Sequence, residues 1–574
     1  MQSVSELKDH AKTLIQQQQF GPAQEVIQEW LLQEPDDAEA HYLMAGAYGY
    51  TGKFVAAENH CRQAIKLQAN YFEAIFRLAN ALDGQSKTAE ALQYYQQAID
   101  INPAMPHVWN NMGACQISIN DFSSAEQSYR QAINLGQQTP QFYFNLALAL
   151  IPQSKNDSTK MDDAINVIQK GEQYDIELAD QLYFDTMLGI NFLTFNAPLQ
   201  AEKHFRNNIV QEPDNPESHL NLALSLVAQN REAEALQSSK IAQQSCSDNE
   251  VNAITTEIAW TMGLIYLGLG EYQKAWPLYE SRWYRNNKSP RNLAGKRWNK
   301  EALKGKTLFL YHEQGYGDNL QFARYFPQLK QLGATVVYEC QKPLYHLFES
   351  NDFIDRLVKS GEDIGAYDFY LPLASLPGML GTTLETIPYS KVSTEDQGNG
   401  YLSIATSDVN NTHQKIDQLL TSTVNNKRVG IFWRGSGSQA NDKRPCSLKH
   451  WEPLLKLSDI SFISLQKDYV TEQDEALFSQ YSITDMRSVI NDFSDTAYII
   501  KQLDLVITID TSVAHLAGSL GANAKVLLAY ASDWRWGRNT DTCAWYPSLT
   551  LYRQSEINRW DSVINQLVSD ISEC

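Results

Sequence analysis

Two stretches of the sequence combine apolar runs, glycines and acidic side chains in an order that could support chemistry. The first is Thr307–Arg324, TLFLYHEQGYGDNLQFAR, in which an apolar run of strand length precedes a turn with Gly315 and Gly317. Helical spacing resumes from Leu320, so Asp318 lies where the turn meets a helix. Ligands bind at the carboxyl ends of strands that begin such βαβ units. Asp318 is therefore a candidate site residue, and the alternative is an aspartate that only caps the helix.

The second stretch is Ile509–His515, IDTSVAH, near the C-terminus. An apolar strand ends at Asp510, and helix-like residues follow. Thr511 and Ser512 would then lie at a helix N-terminus, where hydroxyls, free amide groups and the helix dipole favour an anion. The alternative is that Asp510 or Ser512 is a plain cap and that His515 belongs to the core.

Three further segments place polar side chains where strands would end. The sequence WRGSG carries Arg434 in a glycine-rich turn, which could cradle a phosphate or be an ordinary loop. The sequence NDKR adds Lys443 and Arg444, which alone would mean only a surface charge run. Gln466 follows another apolar run. If each strand ends at the same cleft, these side chains converge there.

Short apolar runs alternate with helical stretches from Lys306 onward. Strands that alternate with helices predict parallel sheets. A polar stretch at about residues 405–426 divides the runs into two series, so we expect two Rossmann-like halves that face a cleft. The predicted strands are Thr307–His312, Thr335–Cys340, Asp355–Val358 and Asp368–Leu371, then Arg428–Trp433, Ser461–Leu465, Leu505–Ile509 and Lys525–Ala529.

The first half of the chain repeats a pattern of alanines, of which the first four are 34 residues apart. Pro35 and Pro103 each follow one of these alanines by twelve residues and would stop a helix. The pattern resembles the tetratricopeptide repeat, a helix–turn–helix unit whose copies stack into a superhelix with a concave groove. We expect eight units over residues 1–283, some of them degenerate. Their key alanines are Ala23, Ala57, Ala91, Ala125, Ala164, Ala201, Ala235 and Ala275.

Asparagine recurs at one phase of the first helix in three of these units, at Asn111, Asn145 and Asn221. In arrays that resemble this one, that position lines the groove, and side-chain amides there can hold the backbone of an extended peptide. We therefore expect these residues to bind an acceptor, the alternative being asparagines that are merely tolerated on a solvated helix face.

The stretches EQGYGDNLQFARYF and DTSVAHLAGSLG together resemble glycosyltransferases of the GT-B fold, in particular heptosyltransferase-like (family nine) catalytic domains fused to tetratricopeptide repeats. YASDWRWGRNTDTCAWYP and KAWPLYESRW are similar to the same subgroup. We expect a repeat superhelix in residues 1–283 and a connector in residues 284–304, which packs on the next domain through Trp298. A GT-B half that carries the acceptor side and the catalytic base would follow in residues 305–426, and a nucleotide-sugar half in residues 427–574.

The resemblance implies roles for individual residues. Asp318 matches the presumed catalytic base, which removes the acceptor hydroxyl proton in an inverting transfer. Ser512 stands where this family usually has glycine. The chain contains no Asp-x-Asp and no Cys/His cluster with zinc spacing, so we expect neither a metal nor a cofactor. The expected donor-binding residues are Arg434, Lys443, Arg444, Gln466, Asp510, Thr511, Ser512 and His515.

Composition narrows the class of protein. The net charge of -20 argues against a broad surface for nucleic acid or an anionic membrane. The seven cysteines are scattered without Cys-x-x-Cys, which is typical of reduced thiols. Neither a signal peptide nor a membrane-length apolar run is found, so we expect a cytoplasmic protein.

We therefore expect a glycosyltransferase that moves a sugar from a nucleotide sugar to a protein held by the repeats. Proteins of this layout include bacterial flagellin glycosyltransferases, some of which use a nonulosonic acid such as pseudaminic acid, so flagellin is the leading acceptor hypothesis. Two alternatives remain open at this stage. One is a non-enzymatic repeat scaffold with a relic transferase domain, and the other is a lipopolysaccharide-type sugar transferase.

Overall fold

A computed structural model describes residues 3–136, 139–246, 252–285, 289–389, 400–404, 411–421, 423, 427–435, 444, 446–468 and 470–573. The chain divides into two compact units, Met1–Ala197 and Pro198–Cys574. The six cysteines in the described residues form no disulfide.

The first unit is entirely helical in its described residues. Prolines follow two of its helices as expected, since α2 ends two residues before Pro35 and α6 ends two residues before Pro103. The helices are α1 (Val4–Gln16), α2 (Phe20–Gln33), α3 (Ala38–Tyr50), α4 (Phe54–Leu67), α5 (Phe72–Asp83), α6 (Thr88–Ile101), α7 (Pro106–Ser118), α8 (Phe122–Asn134), α9 (Pro140–Gln153), α10 (Thr159–Gly171) and α11 (Leu178–Thr194).

The second unit begins with five more helices of the same kind. They are α12 (Pro198–Gln211), α13 (Pro216–Val227), α14 (Glu232–Gln244), α15 (Ala253–Gly268) and α16 (Tyr272–Tyr279). The described residues up to 279 therefore hold sixteen helices, the number that eight two-helix units require. The eight key alanines lie in the even-numbered helices α2 to α16, and each is 0% exposed. A larger side chain has no room there, which is why the 34-residue pattern uses alanine.

A five-stranded parallel sheet follows the helices. Its strands are β1 (Lys296–Arg297), β2 (Thr307–Tyr311), β3 (Thr335–Cys340), β4 (Arg356–Lys359) and β5 (Phe369–Pro372), in the spatial order β1-β5-β2-β3-β4. Its helices are α17 (Tyr316–Phe322), α18 (Phe326–Gln331), α19 (Tyr345–Glu349) and α20 (Leu376–Met379).

A six-stranded parallel sheet completes the chain. Its strands are β6 (Lys427–Phe432), β7 (Ile460–Ser464), β8 (Thr484–Asp485), β9 (Leu505–Ile509), β10 (Ala524–Leu528) and β11 (Leu549–Arg553), in the order β11-β10-β9-β6-β7-β8. Its helices are α21 (Asn411–Thr421), α22 (Glu452–Leu455), α23 (Glu472–Tyr481), α24 (Phe493–Ile500), α25 (Ser512–Ser519) and α26 (Asp561–Ser572). All eight predicted strands are confirmed to within a residue or two at each end, and the sequence pattern missed β1, β8 and β11.

Aromatic side chains join the last helices to both sheets in one hydrophobic core. Tyr272 accepts a hydrogen bond at 2.9 Å from the indole of Trp545, and the indole of Trp276 donates to the Thr382 carbonyl at 2.9 Å. Trp298 is buried in the same core, as expected for the connector. The connector is not wholly irregular, because β1 within it extends the first sheet beside β5. Helices α15 and α16 thus pack as part of the second unit, and the predicted domain boundaries stay a prediction.

Candidate functional site

A cleft of about 880 Å³ lies where strands of both sheets end. It collects residues that follow β2, β3, β6, β7, β9 and β10, because the carboxyl ends of parallel strands share one edge of a sheet. The described residues that line it are Gly315, Tyr316, Gly317, Asp318, Gln341, Pro343, Phe432, Gly435, Arg444, Leu465, Lys467, Asp468, Ile490, Asp492, Phe493, Thr496, Asp510, Thr511, Ser512, Val513, His515, Asp533 and Arg535.

Asp318 lies in the first turn of α17 and faces this cleft. One carboxylate oxygen, Oδ2, accepts from the backbone N–H of Gly315 at 3.1 Å, so the side chain does cap the helix. The other oxygen, Oδ1, lies 2.5 Å from Nη2 of Arg535. Each oxygen still has a lone pair for a further donor. The cap and the candidate base are therefore compatible in one side chain.

Arg535 connects Asp318 to the far side of the cleft, and sequence reasoning gave it no role. It lies in a 3-10 turn, Trp534–Trp536, which follows β10. Its Nη1 donates to Asp533 at 2.9 Å, and its Nε donates to the Gln321 side chain at 2.6 Å. The guanidinium is thus shared between two carboxylates. The available signal was an acidic and a basic residue, Asp533 and Arg535, on either side of Trp534, but nothing in the spacing pointed to Asp318.

Burial controls the ionisation of the carboxyl groups in the cleft. It raises the pKa of Asp318, and the adjacent Arg535 opposes that rise. Burial, followed by the charge of Asp533, raises the pKa of Asp510 to about 6. Burial tends to raise the pKa of Asp533 as well, but the charge and hydrogen bonds of Arg535 outweigh it and bring this pKa below the ordinary value. Of these three carboxyl groups, Asp533 is therefore firmly ionised, and Asp318 and Asp510 protonate more easily than usual.

The end of β9 supplies a helix N-terminus to the same cleft. Helix α25 begins at Ser512, which is half-buried, and its N-terminal amide groups lie next to the cleft. The Thr511 hydroxyl lies within hydrogen-bond distance of the Ile509 carbonyl, at 3.4 Å, and makes no side-chain cap. Arg444 donates to the Asp510 carbonyl at 3.2 Å and also lines the cleft. Backbone amides, a hydroxyl and a cation are the groups that hold an anion.

His515 packs directly against the glycine turn of the first sheet. A Cβ atom on Gly317 would lie 2.6 Å from Cδ2 of His515, so only glycine fits between α17 and α25. Nδ1 of His515 is 2.8 Å from the Tyr546 hydroxyl. Burial and then Arg535 lower the pKa of His515 to about 3, so the ring is neutral at ordinary pH. His515 can therefore offer a neutral hydrogen bond but no charge.

Aromatic rings border the cleft near the start of α24. Tyr316 and Phe493 have ring centroids 5.1 Å apart, and both line the cleft. Lys467 donates to the Asn491 carbonyl and adds a cation to this wall. The hydrophobic pattern could not single out Tyr316 or Phe493, because aromatic residues are common in every core.

Three of the predicted donor residues are not among the described residues that line the cleft. The guanidinium of Arg434 lies 3.5 Å from the buried Asp474. Gln466 is buried, accepts from the backbone N–H of Arg434 at 3.2 Å and donates to the Asp468 carbonyl. Lys443 lies outside the described residues. Gln466 thus shapes the loop after β7 rather than facing the cleft.

Two asparagines of the series, Asn111 and Asn145, belong to a chain of four hydrogen-bonded asparagine side chains, called here the ladder. In the first unit Asn145 donates to Asn110 at 2.9 Å, Asn110 to Asn111 at 3.3 Å, and Asn111 to Asn80 at 3.0 Å. Asn221 is half-buried on α13 of the second unit. The ladder uses part of the hydrogen-bonding capacity of Asn111 and Asn145, and their contact with an acceptor stays a prediction.

Within the described residues, no group of three or more His, Cys, Asp and Glu side chains could hold a metal ion. Among the helices in the described residues, none is both long enough and apolar enough to span a membrane.

Comparison with known proteins identifies the repeats. Two family models, both described as tetratricopeptide repeat, match residues 42–106 and 84–149. A solved structure, a tetratricopeptide repeat protein from Parabacteroides merdae, covers 46% of this chain and 100% of its own at a TM-score of 0.35 and 14% identity. The chain therefore contains tetratricopeptide repeats in its N-terminal part and a parallel-sheet region after them.

Two curated relatives extend the comparison. The chain is 24% identical to Protein FlbA of Caulobacter vibrioides over 339 residues, which are 54% of this chain and 54% of FlbA. It is 24% identical to human Protein O-mannosyl-transferase TMTC3 over 133 residues, which are 21% of this chain and 14% of TMTC3. The chain thus spans about half the length of the first relative and a small part of the second.

Proposed function

We propose that this chain is an inverting glycosyltransferase that moves a sugar from a nucleotide sugar to a serine or threonine of a protein. The observation that carries the proposal is that Asp318, from the first sheet, lines the same cleft as Asp510 and Ser512, from the second sheet. An acceptor hydroxyl at one wall and a donor phosphate at the other would meet across it. In this proposal the two sheets are the halves of a GT-B fold.

On the acceptor side, Asp318 is the general base. It accepts the proton of the acceptor hydroxyl as that oxygen attacks the anomeric carbon, a step that typically supplies ~10²–10⁴-fold in rate. Arg535 orients the carboxylate through Oδ1, and the Gly315 amide orients it through Oδ2. Burial raises the pKa of Asp318, which strengthens it as a base.

On the donor side, the N-terminus of α25 and Arg444 meet the charge that develops on the leaving phosphate. No metal takes part in the proposed step. With a pKa of about 6, Asp510 is mostly ionised at pH 7 but takes up a proton readily, and the protonated form would donate a hydrogen bond to a phosphate oxygen instead of repelling it. His515 stays neutral and adds a polar contact without a charge.

The repeats hold the protein acceptor in this proposal. Tetratricopeptide repeats are a protein-binding architecture, and the name of TMTC3 describes sugar transfer to protein. Flagellin as the acceptor and a nonulosonic acid as the sugar come from the sequence resemblance alone, and the cytoplasm as the compartment comes from the scattered cysteines. The acceptor would gain a high effective concentration at Asp318 by being held on the same chain.

Thermal shift against CMP-, UDP-, GDP- and ADP-linked sugars tests donor binding, because a ligand that binds only the folded protein raises its apparent stability. Asp318→Asn should then abolish transfer, measured by intact mass of the acceptor protein, with little change in donor affinity. Asp368→Asn is a matched control, because Asp368 precedes β5 at the amino ends of the strands, whereas the cleft lies at their carboxyl ends. If no nucleotide sugar shifts the melting temperature, or if Asp318→Asn keeps full turnover, this function is wrong.

A further inference from the structure

The last helical repeat packs into the core of the second unit through its apolar side chains and also makes polar contacts with the turn that carries Asp318. Helix α16 passes into a 3-10 turn, Glu280–Trp283, within the stretch KAWPLYESRW. Two side chains of this stretch, Tyr279 and Arg282, reach Glu313 and Gln314. These are the two residues that immediately precede Gly315.

Arg282 and Glu313 form a bidentate pair in the interior. Nε of Arg282 donates to Oε2 of Glu313 at 2.8 Å, and Nη2 donates to Oε1 at 2.9 Å. The two side chains are only 6% and 7% exposed. Glu313 also accepts from the Ala374 amide at 3.2 Å, and Arg282 also donates to Ser375 at 2.7 Å and to Glu280 at 2.7 Å. Two parallel hydrogen bonds fix both distance and orientation.

Tyr279 holds the next residue of the turn. Its hydroxyl accepts from Nε2 of Gln314 at 3.0 Å, and the Gln314 carbonyl accepts from Gln341 at 3.1 Å. Gln341 itself lines the cleft. One residue later, the Gly315 amide donates to Asp318. The contacts therefore run without a gap from the repeat to the carboxylate.

We propose that Arg282 and Tyr279 are positioning residues for Asp318, so that the last repeat is part of the catalytic assembly. This inference rests on the proposed function, in which Asp318 is the base. The turn contains Gly315 and Gly317 and is permissive by itself, since glycine adopts many backbone conformations. Rigid neighbours on both sides are what hold a catalytic group to within a fraction of an ångström.

The test compares variants that separate folding from positioning. Arg282→Met alone would leave Glu313 charged and buried, which destabilises the fold. The double variant Arg282→Met, Glu313→Gln removes both charges of the pair, and Glu280 keeps its contact with Arg297. It should therefore fold without the bidentate bond. Tyr279→Phe removes only one hydroxyl. Arg285→Met is the control, because Arg285 pairs with Glu257 in the same region, both side chains about one third exposed, rather than with the turn.

Four quantities are measured for each variant: kcat, donor KM, melting temperature, and amide hydrogen exchange at residues 315–318. In the double variant kcat should fall roughly tenfold to hundredfold, as for a misplacement near 1 Å, while donor KM stays within about twofold. Exchange at residues 315–318 should accelerate without a comparable change elsewhere. Tyr279→Phe should show the same pattern more weakly.

Wild-type kcat and wild-type exchange in both the double variant and Tyr279→Phe would overturn the inference and leave the pair as a fold contact only. If the double variant fails to fold, Tyr279→Phe decides by the same two readouts. If the wild type transfers no sugar, the proposed function fails separately, and the exchange data alone then decide whether the repeat holds the turn.

Discussion

Replacing Arg535 by methionine removes a guanidinium that contacts both Asp318 and Asp533. Methionine keeps much of the side-chain volume and removes the charge. Asp318 then loses the charge that most opposes the effect of burial on its pKa, while the Gly315 amide still opposes it in part. A general base works only when ionised, so the activity of the wild type must fall as pH drops through the pKa of Asp318. The variant should lose activity at a higher pH than the wild type.

The size of the shift follows from the contact geometry. An opposite charge within about 4–6 Å typically lowers the pKa of a carboxyl group by ~1–3 units, and the Asp318–Arg535 contact is 2.5 Å. The acid limb of the pH–rate profile should therefore move up by ~1–3 pH units, equivalent to about 1.4–4 kcal/mol. Asp318 and Asp533, whose side chains are 20% and 38% exposed, also lose a partner. The free energy of unfolding should therefore drop by less than the ~3–5 kcal/mol that breaking a fully buried pair costs.

The assay measures the initial rate of sugar transfer from pH 5 to 9, and the product is detected by the intact mass of the acceptor protein. Calorimetry gives the donor affinity. Arg535→Lys keeps a charge and should show a smaller shift. Arg487→Met removes a partly exposed pair with Asp485 outside the cleft and should leave the profile in place. An unchanged acid limb in a folded Arg535→Met protein would refute the role of Arg535 and, with it, the assignment of Asp318 as the titrating base.

The remaining predictions concern stability and domain organisation. The folded-state pKa of Asp510, about 6, exceeds its unfolded value, so the stability it contributes is present below about pH 4 and is lost as pH rises through 6. The difference in free energy of unfolding between Asp510→Asn and the wild type should therefore shift in favour of the variant by up to about 3 kcal/mol from pH 4 to pH 8. Parallel curves of melting temperature against pH for the two proteins would contradict this. Gly317→Ala should cost ~1–3 kcal/mol in denaturant unfolding, because its Cβ would meet His515 at 2.6 Å. Gly315→Ala, whose Cβ meets only a side-chain oxygen at 3.5 Å, should cost less, and equal losses would refute the clash. A fragment of residues 198–574 should run as a monodisperse species on size exclusion, whereas residues 284–574 should aggregate because the core loses α15 and α16; a well-behaved shorter fragment would show that these helices are dispensable.

Local patterns in the sequence were enough for the repeats and most of the strands. The key alanines are spaced by the repeat itself, because two helices must approach closely once in every unit. Eight apolar runs predicted eight strands, since a strand buried on both faces reads as a continuous hydrophobic run. The two-residue strands β1 and β8 were missed because two residues carry no periodicity.

The same local reasoning found Asp318, Asp510 and Ser512. Each lies where an apolar strand meets a turn or a helix start, and that position can be read from neighbouring residues alone. The parallel sheets then bring these strand ends to one cleft, as the rule for parallel sheets predicts. Arg434 and Gln466 met the same rule, yet their side chains turn to Asp474 and to the loop after β7. Strand position alone does not decide side-chain direction.

Only the tertiary structure decided which distant groups meet Asp318. Arg535 is 217 residues away in sequence, and Arg282 contacts the turn from a helical repeat that the sequence assigned to a separate domain. No spacing rule connects such pairs, because their contact depends on how the two sheets and α16 pack around one shared core. The sequence by itself determined the repeats, eight of the eleven strands in the described residues and the candidate base Asp318, while packing determined which distant groups contact Asp318.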